Sequence, residues 1–375
     1  DPECTTPKRV EGFCVPIERC RNIYSIISSG DPPSQGVQKY INRAACTLPG
    51  VARSICCRPM EVDPAPATTT PKMIESRSGY NTPRSGLSIK MGIEPRSSST
   101  LNWSLLPTDC GSKSNDRIAH GNLTDVFEYP WMVLLRYESN GMLYDKCGGS
   151  LINNRYVLTA AHCVKTASDF PLSKVRLGEH DTSKAVDCIV YSNGERECAD
   201  EPIDVDIESA IIHTGYVRPY YQNDIALIRM AQEIPFNSIA PICLPVNENI
   251  RNQELPRYII TGWGATENGA NSDVLLQANV NHIPMSECQQ KMKEYSLLVS
   301  LSKELQICAG GENLVDSCKG DSGGPLGFSV DVSGPKFVQF GIVSRGGKGC
   351  GEYNVPGIYT RVGSYMNWIV ANMQP

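Results

Sequence analysis

The sequence predicts an all-β-dominated protein, an antiparallel β barrel or sandwich behind a small disulfide-held module. Three observations carry this expectation. Short β-rich runs recur between turn residues from about residue 118 onward. Sixteen cysteines fall into a block of six within residues 4–57 and a block of ten from Cys110 to Cys350. Between the blocks the chain turns to Pro, Ser and Thr, as in Pro64-Ala-Pro-Ala-Thr-Thr-Thr-Pro71.

Taken in order, residues 1–57 carry Cys4, Cys14, Cys20, Cys46, Cys56 and Cys57 with few large apolar side chains. A core that small needs staples, and disulfides stabilise by about 2–4 kcal/mol each. Spacing alone leaves all fifteen pairings of six cysteines open. Zinc is disfavoured, because the block lacks His and Cys56-Cys57 is not a Cys-x-x-Cys pair. Residues 58–117 read as a flexible linker whose composition cannot offset backbone ordering entropy. Asn102 and Asn122 both open Asn-x-Ser/Thr triplets and are candidate glycosylation sites.

Residues 118–375 contain the predicted strands Trp131–Tyr137, Tyr156–Ala160, Val205–His213, Ile225–Met230, Tyr258–Gly262, Phe337–Ser344 and Gly357–Val362. Tyr365, Trp368, Ile369 and Met373 share one face of a short terminal helix.

Composition excludes some functions. With 35 Lys and Arg against 40 Asp and Glu, the net charge of −5 gives no basic excess for a nucleic-acid backbone. Apolar runs stop far short of the ~18–20 residues that cross a bilayer, so no membrane partner is expected. So many cysteines fit an oxidising compartment, and the expectation is a secreted, mature, extracellular chain.

Three stretches carry chemistry: Thr159-Ala-Ala-His162-Cys163, Asn223-Asp224-Ile-Ala-Leu227 and Gly320-Asp-Ser322-Gly-Gly-Pro325. A serine hydroxyl is a weak nucleophile near neutral pH. It needs an imidazole to take its proton, and the imidazole needs a carboxylate to set its tautomer and stabilise its charged form. His162, Asp224 and Ser322 fill those roles in the chain order His, Asp, Ser.

On these motifs, residues 118–375 resemble the trypsin-like serine proteases, and the six-cysteine block resembles the clip domain of arthropod proteases. The resemblance implies a chymotrypsin-like double six-stranded β-barrel with a C-terminal helix. It implies an oxyanion hole from the N–H groups of Gly320 and Ser322. The primary pocket would take Arg or Lys against Asp316, walled by Gly346 and Gly357 beside Ser344. Arg345 stands where relatives usually carry Trp, making the adjoining wall more cationic and favouring acidic or small upstream residues. Pro356, where sodium-sensitive relatives carry Tyr, implies no sodium effect.

Asp116-Arg117-Ile118 resembles the family's activation site, so cleavage after Arg117 would place the new Ile118 amine against Asp321. The pairings implied are Cys147 with Cys163, Cys288 with Cys308, Cys318 with Cys350 and Cys110 with Cys243, which leaves Cys188 and Cys198 for each other. No cofactor is required for the chemistry, but relatives often hold structural Ca2+ in the matching loop, here through Glu179, Asp181 and Asp187. The partners implied are an upstream activating protease, a downstream protease zymogen of an extracellular immune cascade such as the Toll pathway, and a serpin inhibitor. The alternative is a non-catalytic clip homologue acting as a binding cofactor, although such homologues usually lose the nucleophile that Ser322 supplies.

Overall fold

The computed structural model describes residues 2–6, 11–20, 23–24, 41–48, 51, 53–57, 87–95, 101–113, 123–166, 170–217, 221–266, 271–295, 301–311, 320–346 and 355–375. Arg117, Ile118, Asn122, Asp316, Cys318 and Cys350 lie outside the described residues. The chain divides into two compact units, Asp1–Pro83 and Arg84–Pro375.

In the first unit, strands β1 (Glu3–Thr5), β2 (Glu11–Pro16), β3 (Ala45–Cys46) and β4 (Ser54–Cys57) form an antiparallel sheet in the order β1-β2-β4-β3. Neighbouring residues on a strand face opposite sides. Adjacent Cys56 and Cys57 on β4 accordingly bond different partners, Cys4 and Cys20, while Cys14 bonds Cys46. Val15, Ile17, Ile23, Ile41 and Ile55 make the small core that these bridges brace.

The second unit begins with a strand inside the stretch expected to be a flexible linker. Residues Ser88–Met91 form β5. This corrects the expected linker of residues 58–117, because β5 finds open edge hydrogen bonds in the barrel that offset its ordering, a gain that composition alone does not reveal.

Strands β6 (Met132–Ser139), β7 (Met142–Leu151), β8 (Tyr156–Thr159), β9 (Leu172–Leu177), β12 (Ile203–Ile212) and β13 (Ala226–Met230) form the first barrel, closed by β12 against β13. Helix α1 (Ala161–Val164) follows β8, and a separate hairpin of β10 (Cys188–Val190) and β11 (Arg196–Cys198) projects between β9 and β12. Strand β5 pairs in parallel with β12, beyond the part of β12 that pairs with β9.

After the short helix α2 (Glu248–Arg251), a second closed barrel runs β14-β15-β16-β19-β18-β17. Its strands are β14 (Arg257–Gly262), β15 (Leu276–Ile283), β16 (Gln306–Ala309), β17 (Pro325–Asp331), β18 (Pro335–Arg345) and β19 (Gly357–Arg361). Helix α3 (Met285–Glu294) precedes β16, and α4 (Met366–Asn372) ends the unit. The molecule therefore has the chymotrypsin-like fold, with two six-stranded barrels and a C-terminal helix.

Each of the seven predicted runs overlaps a strand. Strand β7 was hidden by Cys147-Gly-Gly, which reads as a turn, yet a Cβ on Gly149 would come within 2.8 Å of Val157 Cγ1 on β8. Glycine serves close strand packing there. The core of the first barrel continues through Trp368 and Ile369 of α4 and Met373 just beyond it, all buried.

Candidate active site

Three chain turns converge where the barrels meet. Fully buried β8 delivers His162 on the first turn of α1, and Cys163 beside it is bonded to Cys147 of β7. Asp224 stands just before β13, with none of its surface exposed. Ser322 lies between Gly320 at φ +107° and Gly323 at φ +82°, two left-handed positions that glycine adopts without penalty. Any Cβ on Gly323 would overlap Thr159 Oγ1. The loop thus presses against the first barrel, and Gly148 N–H donates to Ser322 O at 2.8 Å.

The Asp224 carboxylate accepts three hydrogen bonds. Oδ1 takes the His162 backbone N–H at 2.9 Å. Oδ2 faces His162 Nδ1 at 2.7 Å and takes the Ser344 hydroxyl at 2.6 Å. Thr360 on β19 donates to the Asp224 backbone oxygen at 2.8 Å. A buried carboxylate is costly unless hydrogen-bonded, and these donors meet that cost. With Asp224 holding the proton on Nδ1, His162 presents Nε2 as the base.

The structure adds two roles to the sequence reading. Ser344 was assigned to the substrate wall, but its buried hydroxyl also orients Asp224. The strand is irregular at this point, with Val343 opposite Tyr359 and Arg345 opposite Ile358. Tyr221, three residues before Asp224, was missed. Its ring stands edge-on to His162 with centroids 5.7 Å apart, and the Arg345 guanidinium lies 5.4 Å from the same ring.

Asp321, beside the nucleophile, directs Oδ1 to Gly264 N–H at 2.8 Å. Side chains on Gly262 or Gly264 would overlap its carboxylate, so both glycines make room for it. Gly346 follows β18, and buried Gly357 opens β19. Among the remaining described cysteines the bonds are Cys110–Cys243, Cys188–Cys198 and Cys288–Cys308. Asn102 is exposed, and its side-chain oxygen accepts the Ser104 hydroxyl at 2.6 Å.

The three carboxylates expected to bind calcium are buried, but they do not share one focus. Glu179 and Asp187 both accept from His180 N–H, at 3.1 and 3.2 Å. Burial pushes the Glu179 carboxyl up; Arg176 opposes this and the Asp187 charge adds to it. Asp181 instead pairs with Lys184 at 2.6 Å and with the Ser183 hydroxyl. Glu179 already faces the Arg176 guanidinium at 3.2 Å and Asp181 the Lys184 ammonium, so two of the three are committed to cationic side chains.

Comparison with known proteins follows this geometry. Residues 118–369 match the Trypsin family model, and residues 4–57 match the regulatory CLIP domain of proteinases. The chain is 36% identical over 381 residues to Serine protease grass of Drosophila melanogaster, covering 99% of this chain and 91% of that protein. It is also 36% identical to Serine protease ea of the same organism, covering 98% of this chain and 89% of that protein. A crystal structure of the Drosophila Grass clip serine protease of the Toll pathway superposes with a TM-score of 0.64 at 35% identity, covering 99% of this chain and 97% of the other.

Proposed function

Because the chain belongs to the trypsin family of serine proteases and carries a CLIP domain, we propose that it is a secreted zymogen, cut after Arg117, that hydrolyses Arg-X or Lys-X bonds in a downstream protease zymogen. The observation that carries this reading is the buried Asp224 carboxylate, bonded at once to His162 Nδ1 and Ser344 Oγ. A binding cofactor has no use for that arrangement.

The chemistry follows from the atoms. His162 Nε2 removes the Ser322 hydroxyl proton as Oγ attacks the scissile carbonyl, and the imidazolium formed is stabilised by Asp224 across 2.7 Å. The N–H groups of Gly320 and Ser322 receive the oxyanion. His162 then gives its proton to the leaving amine, and water attacks the acyl-Ser322 in the mirror sequence.

Arg or Lys would enter against Asp316, and the Ile118 amine freed by cleavage would pair with Asp321. The Cys110–Cys243 bond would keep the preceding segment attached after the cut. Placement in a Toll-type cascade is supported by similarity to a clip serine protease of the Toll pathway, while the upstream protease activator and the serpin inhibitor follow from the family resemblance alone. No helix among the described residues is long and apolar enough to cross a membrane. Structural calcium at Glu179, Asp181 and Asp187, which the family resemblance implies, would have to displace Arg176 and Lys184 from that loop and would not enter the reaction.

The deciding test is hydrolysis of a chromogenic Arg peptide before and after limited cleavage at Arg117, with the new N-terminus sequenced. Activity should appear only together with an Ile-Ala-His-Gly terminus. A correctly cut protein inert toward Arg peptides and proteins would favour a binding role instead.

A further inference from the structure

Residues 88–94 precede the proposed cut and lie outside the closed ring of the first barrel, yet they are fastened to it at several points. Strand β5 pairs with β12 from Ser88 opposite Ser209 to Met91 opposite Ile212. Gly92 N–H then donates to Ile212 O at 2.7 Å. A Cβ on Gly92 would come within 2.7 Å of Trp368 Nε1, so the backbone lies directly on the indole. Asn372 on α4 grips the next residue from both sides. Its Oδ1 accepts Ile93 N–H at 2.8 Å, and its Nδ2 donates to Ile93 O at 2.9 Å.

This fastening delivers Glu94 to His213. The Glu94 carboxylate lies 3.0 Å from His213 Nε2, and Thr214 Oγ1 donates to the same carboxylate at 3.3 Å. His213 is buried at 8% exposure, with the rings of Tyr365 and Trp368 packed on it at centroid distances of 5.3 and 5.2 Å. Its other nitrogen, Nδ1, accepts Gly215 N–H at 3.0 Å. A ring nitrogen that accepts an N–H must hold a lone pair, so the ring proton is on Nε2 and points at Glu94.

The chain of contacts continues to the triad. Gly215 O accepts Asn223 Nδ2 at 2.8 Å, and Asn223 Oδ1 accepts the Tyr365 hydroxyl at 2.9 Å. Asn223 sits at φ +53° and Tyr221 at φ +52°, conformations that non-glycine residues hold only when their surroundings impose them. The next residue is Asp224.

We propose that Glu94 is a positioning residue for catalysis: it selects the His213 tautomer that accepts Gly215 N–H, and so fixes the loop that carries Tyr221 and Asp224. Without the carboxylate, only the single Gly215 N–H still favours that tautomer. The alternative Nδ1–H form would set a donor against Gly215 N–H and release the loop. Burial holds the His213 pKa below its ordinary value, the Glu94 charge opposing, which keeps the ring neutral and the tautomer the deciding variable.

The activity readout rests on the protease reading, and the test is arranged to separate the two. The full chain, cut after Arg117, is compared with Glu94→Ala and Glu94→Gln forms on an Arg peptide. Ring 15N signals of the five histidines are recorded on the same proteins. Glu94→Ala should lower kcat about three- to tenfold, the size of one ordinary hydrogen bond, and shift His213 toward the Nδ1–H form. Glu94→Gln should recover most of the loss, because its amide oxygen still accepts from Nε2.

Unaltered kcat in Glu94→Ala, equal losses in both variants, or an unmoved His213 tautomer would each overturn the proposal. An inert wild type would instead defeat the protease reading, and the ring signals would still decide whether Glu94 sets the tautomer.

Discussion

Replacing Asp224 by Asn probes the centre of the site, and the geometry limits what the amide can do. In one orientation the amide oxygen accepts His162 N–H in place of Oδ1, and the NH2 group faces Nδ1, where a carboxylate oxygen sat at 2.7 Å. Nδ1 must then accept, which moves the ring proton to Nε2, the atom that has to take the Ser322 proton. In the other orientation the oxygen faces Nδ1, but the NH2 opposes His162 N–H across 2.9 Å in a site with no exposed surface. Leaving such buried donors unsatisfied costs about 1–3 kcal/mol, so the productive orientation is outnumbered about 5- to 150-fold. Loss of the negative charge opposite the imidazolium adds to this. The total of about 10⁴ in kcat is the scale known for the trypsin triad rather than a value worked from these distances. The carboxylate has no exposed surface with which to touch substrate, so KM should stay near wild type. The assay is steady-state hydrolysis of an Arg peptide by the cut protein. A fall of less than about tenfold, or one carried by KM, would refute the reasoning.

Arg345→Ala should reduce any preference for acidic residues upstream of the cut bond by about two- to fivefold in a competitive peptide library, the worth of one exposed charge contact. An unchanged profile would remove Arg345 from the substrate wall. Gly323→Ala forces a left-handed φ of +82° on a residue with a Cβ and drives that atom into Thr159, so unfolding stability should fall by about 2 kcal/mol or more in a chemical denaturation. For acid pH, burial holds both His213 and His282 below the ordinary histidine value, with Glu94 and Glu254 respectively opposing. The unfolded chain therefore takes up their protons first. The stability they contribute is whole above about pH 6.5 and is lost as pH falls through their lower folded values. The thermal midpoint should decline over that range, less steeply in His282→Asn, and a flat midpoint from neutral to mildly acid pH would contradict the assignment. A chain begun at Ile118 should be markedly less stable than one in which residues 84–117 stay attached through Cys110–Cys243, since losing a native disulfide alone typically costs about 2–5 kcal/mol. Equal denaturation midpoints would show that the preceding segment adds nothing.

What the sequence disclosed followed from local physics. Strand Tyr156–Thr159 is a short run rich in β-branched and aromatic residues, and its burial on both faces matches that composition. The glycine positions flanking Ser322 were legible because backbone angles that few other residues hold demand them. The Ser344 hydroxyl escaped because a serine on a strand carries no mark of its distant partner, Asp224, 120 positions earlier. Glu179, Asp181 and Asp187 were grouped on the family resemblance, which does not reveal that Lys184, three residues on, pairs with Asp181 at 2.6 Å. Strand β5 escaped for a related reason. Ser88-Ile-Lys-Met91 is too short and too exposed to announce itself, and what makes it a strand is the edge of β12, over a hundred positions away.

That edge bears on how such a zymogen is divided. Sequence motifs place the enzyme's beginning at Ile118, where the family model also begins. Packing places it at Arg84, where the second compact unit starts. The residues between supply a strand to β12, a cysteine to Cys243 and a carboxylate to His213, and each contact is made to the part of the chain that performs catalysis. The proposed cut after Arg117 would sever none of these bonds, because each joins a residue on the N-terminal side of that point to a partner on the other. Activation by that cut would then free one new terminus rather than shed a segment, and residues 84–113 would count as part of the enzyme on both sides of the event.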